Sequence, residues 1–131
     1  MTQKKNPVLN HVALSVVSLQ KSTDFYKNMI QLDSIDEPFK DGKHSWFKIA
    51  DHSQLHLIEA SKGIREHDKS THLCFSVPSI EEFMERLDKA KIPYTNFPGT
   101  SKSPTIRPDG VKQIWLQDPD GYWIEINNDS Y

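Results

Sequence analysis

The stretch THLCFSVPSIEEF, from Thr71 to Phe83, restates NHVALSVVSLQKSTDF, from Asn10 to Phe25. Aligned on their histidines, the two pair His11 with His72, Ser15 with Ser76, Val16 with Val77 and Ser18 with Ser79, sixty-one residues apart (72 minus 11). Further on, QLHLIEA sets Glu59 near the end of an apolar run and GYWIEIN does the same with Glu125, sixty-six residues apart (125 minus 59). Self-similarity at such a period marks a duplicated supersecondary unit. Each copy then brings one histidine near its start and one glutamate near its end. Two imidazoles and two carboxylates at equivalent places point to one site built by pairing the copies.

With 131 residues the chain is expected to form a single domain, module 1 over about 8–60, a linker over 61–70 and module 2 over about 71–127. Such a length buries enough surface to fold without disulfides or a structural metal. Sixteen basic against eighteen acidic side chains leave −2, with no basic run of the kind that tracks nucleic acid or a membrane surface. Cys74 is the one cysteine, so no disulfide framework forms within the chain. No apolar run approaches the roughly 20 residues of a membrane span, and Met1 to Pro7 is polar where a signal peptide has an apolar core. A cytoplasmic protein is expected, with no nucleic-acid or membrane partner.

Along the chain, Val8 to Val17 alternates so that His11, Ala13 and Ser15 share one strand face and Val12, Leu14 and Val16 the other. Ser18 caps a helix on which Leu19, Thr23, Tyr26 and Ile30 recur at helical spacing. Three short strands follow, Ser34 to Lys40, His44 to Ala50 and Gln54 to Ala60, parted by Asp41-Gly42 and Asp51 to Ser53. This is a βαβββ unit. The second copy repeats it: a strand over 71–77, then a helix opened by Ser79 and Glu82 as a capping box with Ile80, Phe83, Met84, Leu87 and Ala90 as its buried stripe. Strands are expected over Ile92 to Phe97, Val111 to Gln117 and Gly121 to Asn127, the last two joined by the turn Asp118-Pro119-Asp120-Gly121. The intervening PGTSKSPTIRPDG is too rich in proline and glycine for regular structure and reads as a functional loop.

A carboxylate among apolar neighbours must find a proton or a cation. Glu59 alternates with Leu55 and Leu57, and Glu125 with Trp123 and Asn127, so both faces look like apolar pocket walls carrying one charge. His11, Glu59, His72 and Glu125 together form a hard-to-borderline ligand set suited to one divalent ion such as Zn, Ni, Co, Mn or Fe. With coordination positions left open, such an ion polarises a carbonyl, and the chemistry is proton transfer beside that carbonyl with a carboxylate as base.

The double βαβββ plan, NHVALSV, HLIEA, THLCFSV and DPDGYWIEI together resemble the vicinal oxygen chelate superfamily, from Leu9 to Asn127. That superfamily includes glyoxalase I, the bleomycin- and fosfomycin-resistance proteins and the extradiol dioxygenases. The resemblance implies an α+β fold in which two βαβββ modules form a curled, mixed-sheet cleft around one metal, within a chain or across a homodimer. It implies a glyoxalase-type lyase or isomerase acting on a small 2-oxoaldehyde-type substrate, with ligands in the order His11, Glu59, His72, Glu125. Glu125 is the expected base, and Glu59 a ligand that shares the role.

The chain departs from glutathione-dependent bacterial glyoxalase I at Ser15, where that enzyme carries an arginine that holds a glutathione carboxylate, so the thiol is left open. Lys102 or Arg107 on the proline-rich loop would supply an anion contact instead, and Trp123 and Leu57 would line the pocket. Two alternatives stand beside this reading. The fosfomycin-resistance thiol transferases resemble the chain with three ligands, matching His11, His72 and Glu125. A non-catalytic binder of the bleomycin-resistance kind would use Trp46, Phe47, Trp115, Tyr122 and Trp123 as walls.

Overall fold

The computed structural model describes residues 6–60, 62–63 and 66–130. Part of the expected linker (61, 64 and 65) and the first five residues lie outside them. The chain divides into two compact units, Met1–Gly63 and Ile64–Tyr131, each a four-stranded mixed sheet with one main helical segment, an α+β arrangement.

In the first unit, β1 (His11–Val16) leads to α1 (Leu19–Asp24), then β2 (Asp33–Ile35), β3 (His44–Ile49) and β4 (Ser53–Glu59). The sheet order is β1-β4-β3-β2, with β1 parallel to β4 and the other pairs antiparallel. Ser18 caps α1 as its sequence predicts, its side chain accepting the Lys21 N–H. The helix then widens into a π-helical turn, Phe25–Met29, and ends where Gln31 takes a positive φ of 66°. One sheet face is the core: Leu14, Val16, Phe47, Leu55 and Leu57 pack with Phe25, Tyr26 and Ile30, all buried. Each such side chain contributes about 1.5–3 kcal/mol relative to exposure. The other face, with His11, Ala13 and Ser15 on β1, is exposed along that strand.

The second unit follows the same plan: β5 (His72–Ser76), α2 (Ile80–Lys89), β6 (Thr105–Ile106), β7 (Lys112–Gln117) and β8 (Trp123–Asn127), in the order β5-β8-β7-β6 with β5 parallel to β8. Ser79 caps α2 by accepting the Glu82 N–H. Ile80, Phe83 and Leu87 are its buried stripe, while Ala90 lies beyond the helix and is exposed. The Asp118 carboxylate accepts the N–H groups of Asp120 and Tyr122 at 2.9 Å each, and Gly121 supplies the positive φ of 85° that the turn needs.

Two expectations are corrected. The Ile92 to Phe97 strand is only a single bridge, Thr95 with Trp115, because Pro93 removes a ladder donor from so short a run. Conversely, the proline-rich loop holds β6, two β-branched residues between Pro104 and Pro108 at the sheet edge, where prolines are tolerated.

Candidate functional site

The pairing register within each sheet decides which side chains are equivalent. On β1 and β4 the partners are His11 with Gln54, Ala13 with His56 and Ser15 with Ile58. On β5 and β8 they are His72 with Trp123, Cys74 with Glu125 and Ser76 with Asn127. One strand further, Trp46 pairs with His56 and Trp115 with Glu125. The counterpart of Glu125 is therefore His56, sixty-nine residues earlier (125 minus 56).

Glu59 stands three positions past His56. Since strand residues alternate faces, it falls on the opposite face from His11, the one that carries Leu55 and Leu57. There Glu59 Oε2 accepts the backbone N–H of Leu19 at 2.8 Å, at the start of α1, satisfying a donor that a helix N-terminus leaves unpaired. Leu57 is fully buried on that face, in the core.

His11 and His56 stand together, their rings stacked with centroids 4.2 Å apart, and Trp46 stacks on the other face of His56 at 3.8 Å. Burial, and then the neighbouring His11 and His44, push His56 below the usual imidazole range. His11 Nδ1 donates to Asn10 Oδ1 at 2.7 Å and His56 Nε2 to Gln54 Oε1 at 2.8 Å. In its neutral form each ring then has a lone pair on its remaining nitrogen.

In the second unit His72 Nδ1 donates to the Lys69 carbonyl at 3.1 Å, and Nε2 faces Glu125 Oε1 at 3.4 Å, an ion pair when the ring is protonated. Glu125 is buried. Its Oε2 accepts from Gln113 Nε2 and Asn127 Nδ2, each at 3.0 Å, which leaves Oε1 for His72. Burial pushes this carboxyl upward, but hydrogen bonds from Gln113, Asn127 and Cys74, with the nearby His72, outweigh it and hold the group below its ordinary value. Across the strand pair, Cys74 is exposed, yet its thiol is pushed up to about 12, by burial of the sulfur and then by the Glu125 carboxylate.

A proton on His72 Nε2 or a bound cation would join that atom to Glu125 Oε1, and an imidazole fixed through its other nitrogen to a carbonyl is the usual state of a metal ligand. His11 and His56 in the first unit, and His72 and Glu125 in the second, are each a pair of donors of the kind a divalent ion takes. Among the described residues no three His, Cys, Asp or Glu side chains cluster as a ready-made metal site.

The other residues expected at the pocket are otherwise engaged. Lys102 pairs with Asp88 at 2.7 Å, and Arg107 with both Asp109 and Asp129 at 2.6 and 3.1 Å. Trp123 donates its indole N–H to the His67 carbonyl at 3.1 Å. Ser15 lies on the His11 face of β1, exposed. Phe47 is core. Sequence reasoning missed His56 and His44, which lie on the His11 face of the sheet. The signal was available: the repeat anchored on Trp46 and Trp115, sixty-nine apart (115 minus 46), sets His56 on Glu125.

Residues 8–126 match the family described as the Glyoxalase/Bleomycin resistance protein/Dioxygenase superfamily. The chain is 26% identical to a lactoylglutathione lyase of Pseudomonas aeruginosa, over 91% of this chain and 81% of that one, and 23% identical to that of Pseudomonas putida, over 91% and 83%. Among solved structures it is similar to a glyoxalase family protein from Bacillus anthracis, with a TM-score of 0.73, 25% identity and coverage of 98% and 100%. A fosfomycin resistance protein from Listeria monocytogenes shares the fold, with a TM-score of 0.76, 21% identity and coverage of 96% and 94%.

Proposed function

Because this chain belongs to the glyoxalase/bleomycin resistance protein/dioxygenase superfamily, we propose that it is a divalent-metal-dependent lyase of glyoxalase type, acting on the adduct of a small 2-oxoaldehyde and a thiol. His11, His56, His72 and Glu125 are the residues that would hold the ion, whether one chain or a homodimer supplies them. The observation that supports this is that each of the three imidazoles has one nitrogen tied to an oxygen acceptor, while the other nitrogen of His72 is turned to Glu125 Oε1. Three neutral imidazoles and one carboxylate suit a borderline divalent ion. Glu59 is not in this set, since it serves the α1 terminus instead.

When bound, the ion would polarise the substrate carbonyl and so acidify the neighbouring C–H. The proton then moves between adjacent carbons, converting the hemithioacetal to its isomer, a 2-hydroxyacyl thioester, with no atom gained or lost. Glu125 is the proposed carrier of that proton: its lowered pKa keeps it ionised at neutral pH, and Oε1 is the oxygen not held by Gln113 and Asn127.

The test is turnover by metal-reconstituted protein on 2-oxoaldehyde–thiol adducts. Glu125→Gln is expected to lose about 10²–10⁴-fold, the range for removing a general base, with Glu59→Gln close to the parent. Full activity in Glu125→Gln would remove the assignment.

A second reading is favoured by the same geometry. With Glu59 set aside, one carboxylate remains, and His11, His72 and Glu125 match the three-ligand set of the fosfomycin-resistance thiol transferases. Thiol-dependent opening of fosfomycin, with no adduct isomerised, would select it.

A further inference from the structure

His72 opens β5, and what holds its ring lies before the sheet begins. Residues 66–70 contain no helix or strand, yet His72 Nδ1 donates to the carbonyl of Lys69 within them. Asp68 shapes this turn: its Oδ1 accepts the Ser70 N–H at 2.8 Å and its carbonyl the Thr71 N–H at 3.0 Å. Such local bonds fix the form of a turn but not its place on the sheet.

The place is set by side chains. The His67 ring stacks on Tyr122 at 4.3 Å, and the His67 carbonyl accepts the Trp123 indole N–H. The Lys69 ammonium lies over Phe97, Trp115 and Trp123, 5.2, 5.7 and 4.8 Å from their centroids, and donates to the carbonyls of Asn96 and Phe97. A half-buried ammonium needs such acceptors, and the ring faces add their own attraction for a cation. Trp115 is used twice, because the His72 ring stands edge-on to it at 4.5 Å. The residue whose side chain is caught in this wall is the one whose carbonyl holds His72.

The first unit lacks the device. Sixty-one residues before Lys69 (69 minus 8) stands Val8, 68% exposed, and His11 Nδ1 bonds instead to the side chain of neighbouring Asn10. The repeat therefore folds without a lysine at this position. What the lysine adds is a remote anchor for one imidazole.

We propose that Lys69 is the positioning residue for His72: its caged ammonium holds the turn so that the Lys69 carbonyl keeps the Nδ1 proton and Nε2 stays turned toward Glu125. That Nε2 takes the ion rests on the function proposed above, and the anchoring of the ring does not.

Two measurements on the full-length chain separate these. The first follows exchange with water of the His72 Nδ1 proton, assigned by its loss in His72→Gln, in metal-free and in zinc-supplemented protein. Lys69→Met keeps the apolar stem and is expected to speed exchange about tenfold, the scale of one lost hydrogen bond. Lys69→Arg, whose guanidinium also suits ring faces, is expected to recover slow exchange. Phe97→Leu, which keeps the ammonium and removes one ring, is expected to move exchange the same way by less, and it serves if Lys69→Met does not fold. Unchanged exchange in Lys69→Met and in Phe97→Leu, or no recovery in Lys69→Arg, overturns the proposal and leaves the turn to Asp68. The second is zinc affinity, by competition with a chromophoric chelator. It is expected to weaken about tenfold in Lys69→Met, the lower end for losing a partner behind a metal-bound histidine. Faster exchange with unchanged zinc affinity, or with no zinc bound by the parent, supports the anchor and removes His72 from the ligands.

Discussion

Glu59 and His56 sit three positions apart on one strand and do opposite work. The carboxylate closes a helix end, and the imidazole stands beside His11 on the open face. Glu59→Ala is expected to cost about 0.3–1 kcal/mol, the usual worth of a carboxylate at a helix N-terminus, read by urea denaturation, with bound metal per chain unchanged. His56→Ala is expected to lower the metal content at little cost in stability. The reverse pattern would restore Glu59 to the metal and remove His56. The distinction was half legible in the sequence. Alternation correctly placed Glu59 with Leu55 and Leu57, but those leucines are core, while Trp123 and Asn127 flank Glu125 on the face that carries His72. Matching the glutamates by residue type overrode matching the strands by position. Register is a property of paired backbones, and only the two tryptophans report it in the sequence.

Among the elements, local chemistry was enough wherever a cap or a turn defined an end. Ser18 and Ser79 each accept the N–H three residues on, and the two helices start where their sequences say. Ser79→Ala is expected to cost about 1 kcal/mol, visible as a lower denaturation midpoint with an unchanged slope. A changed slope would mean that the substitution alters more than the cap. The strands were legible as segments but not at their ends, since His11–Val16 is shorter than the apolar run that announced it. What failed was context: Thr105–Ile106 pairs only because Lys112 and Gln113 present an edge to it, and no property of two residues between prolines foretells that partner.

Across the whole molecule, duplication has been kept in the backbone and relaxed in the side chains. Both units retain the parallel outer pair, the tryptophan beside the donor and the edge-on phenylalanine. They differ in filling: Lys69 closes the aromatic walls of one unit, and those of the other stay open. The Glu59 bond to Leu19 carries a further consequence, for the order of assembly. α1 has six residues, well below the roughly 12–15 that an isolated helix needs in water, and its first N–H is held by a residue forty positions later. It therefore forms only once β4 has come home against β1, whereas α2, with ten residues and Glu81 and Glu82 in its own first turn, owes less to distant chain. In pulse-labelled deuterium exchange during refolding, Leu19 is expected to gain protection together with the β1 and β4 amides, and the α2 amides no later. Leu19 protected ahead of β4 would show that the helix leads and the sheet follows.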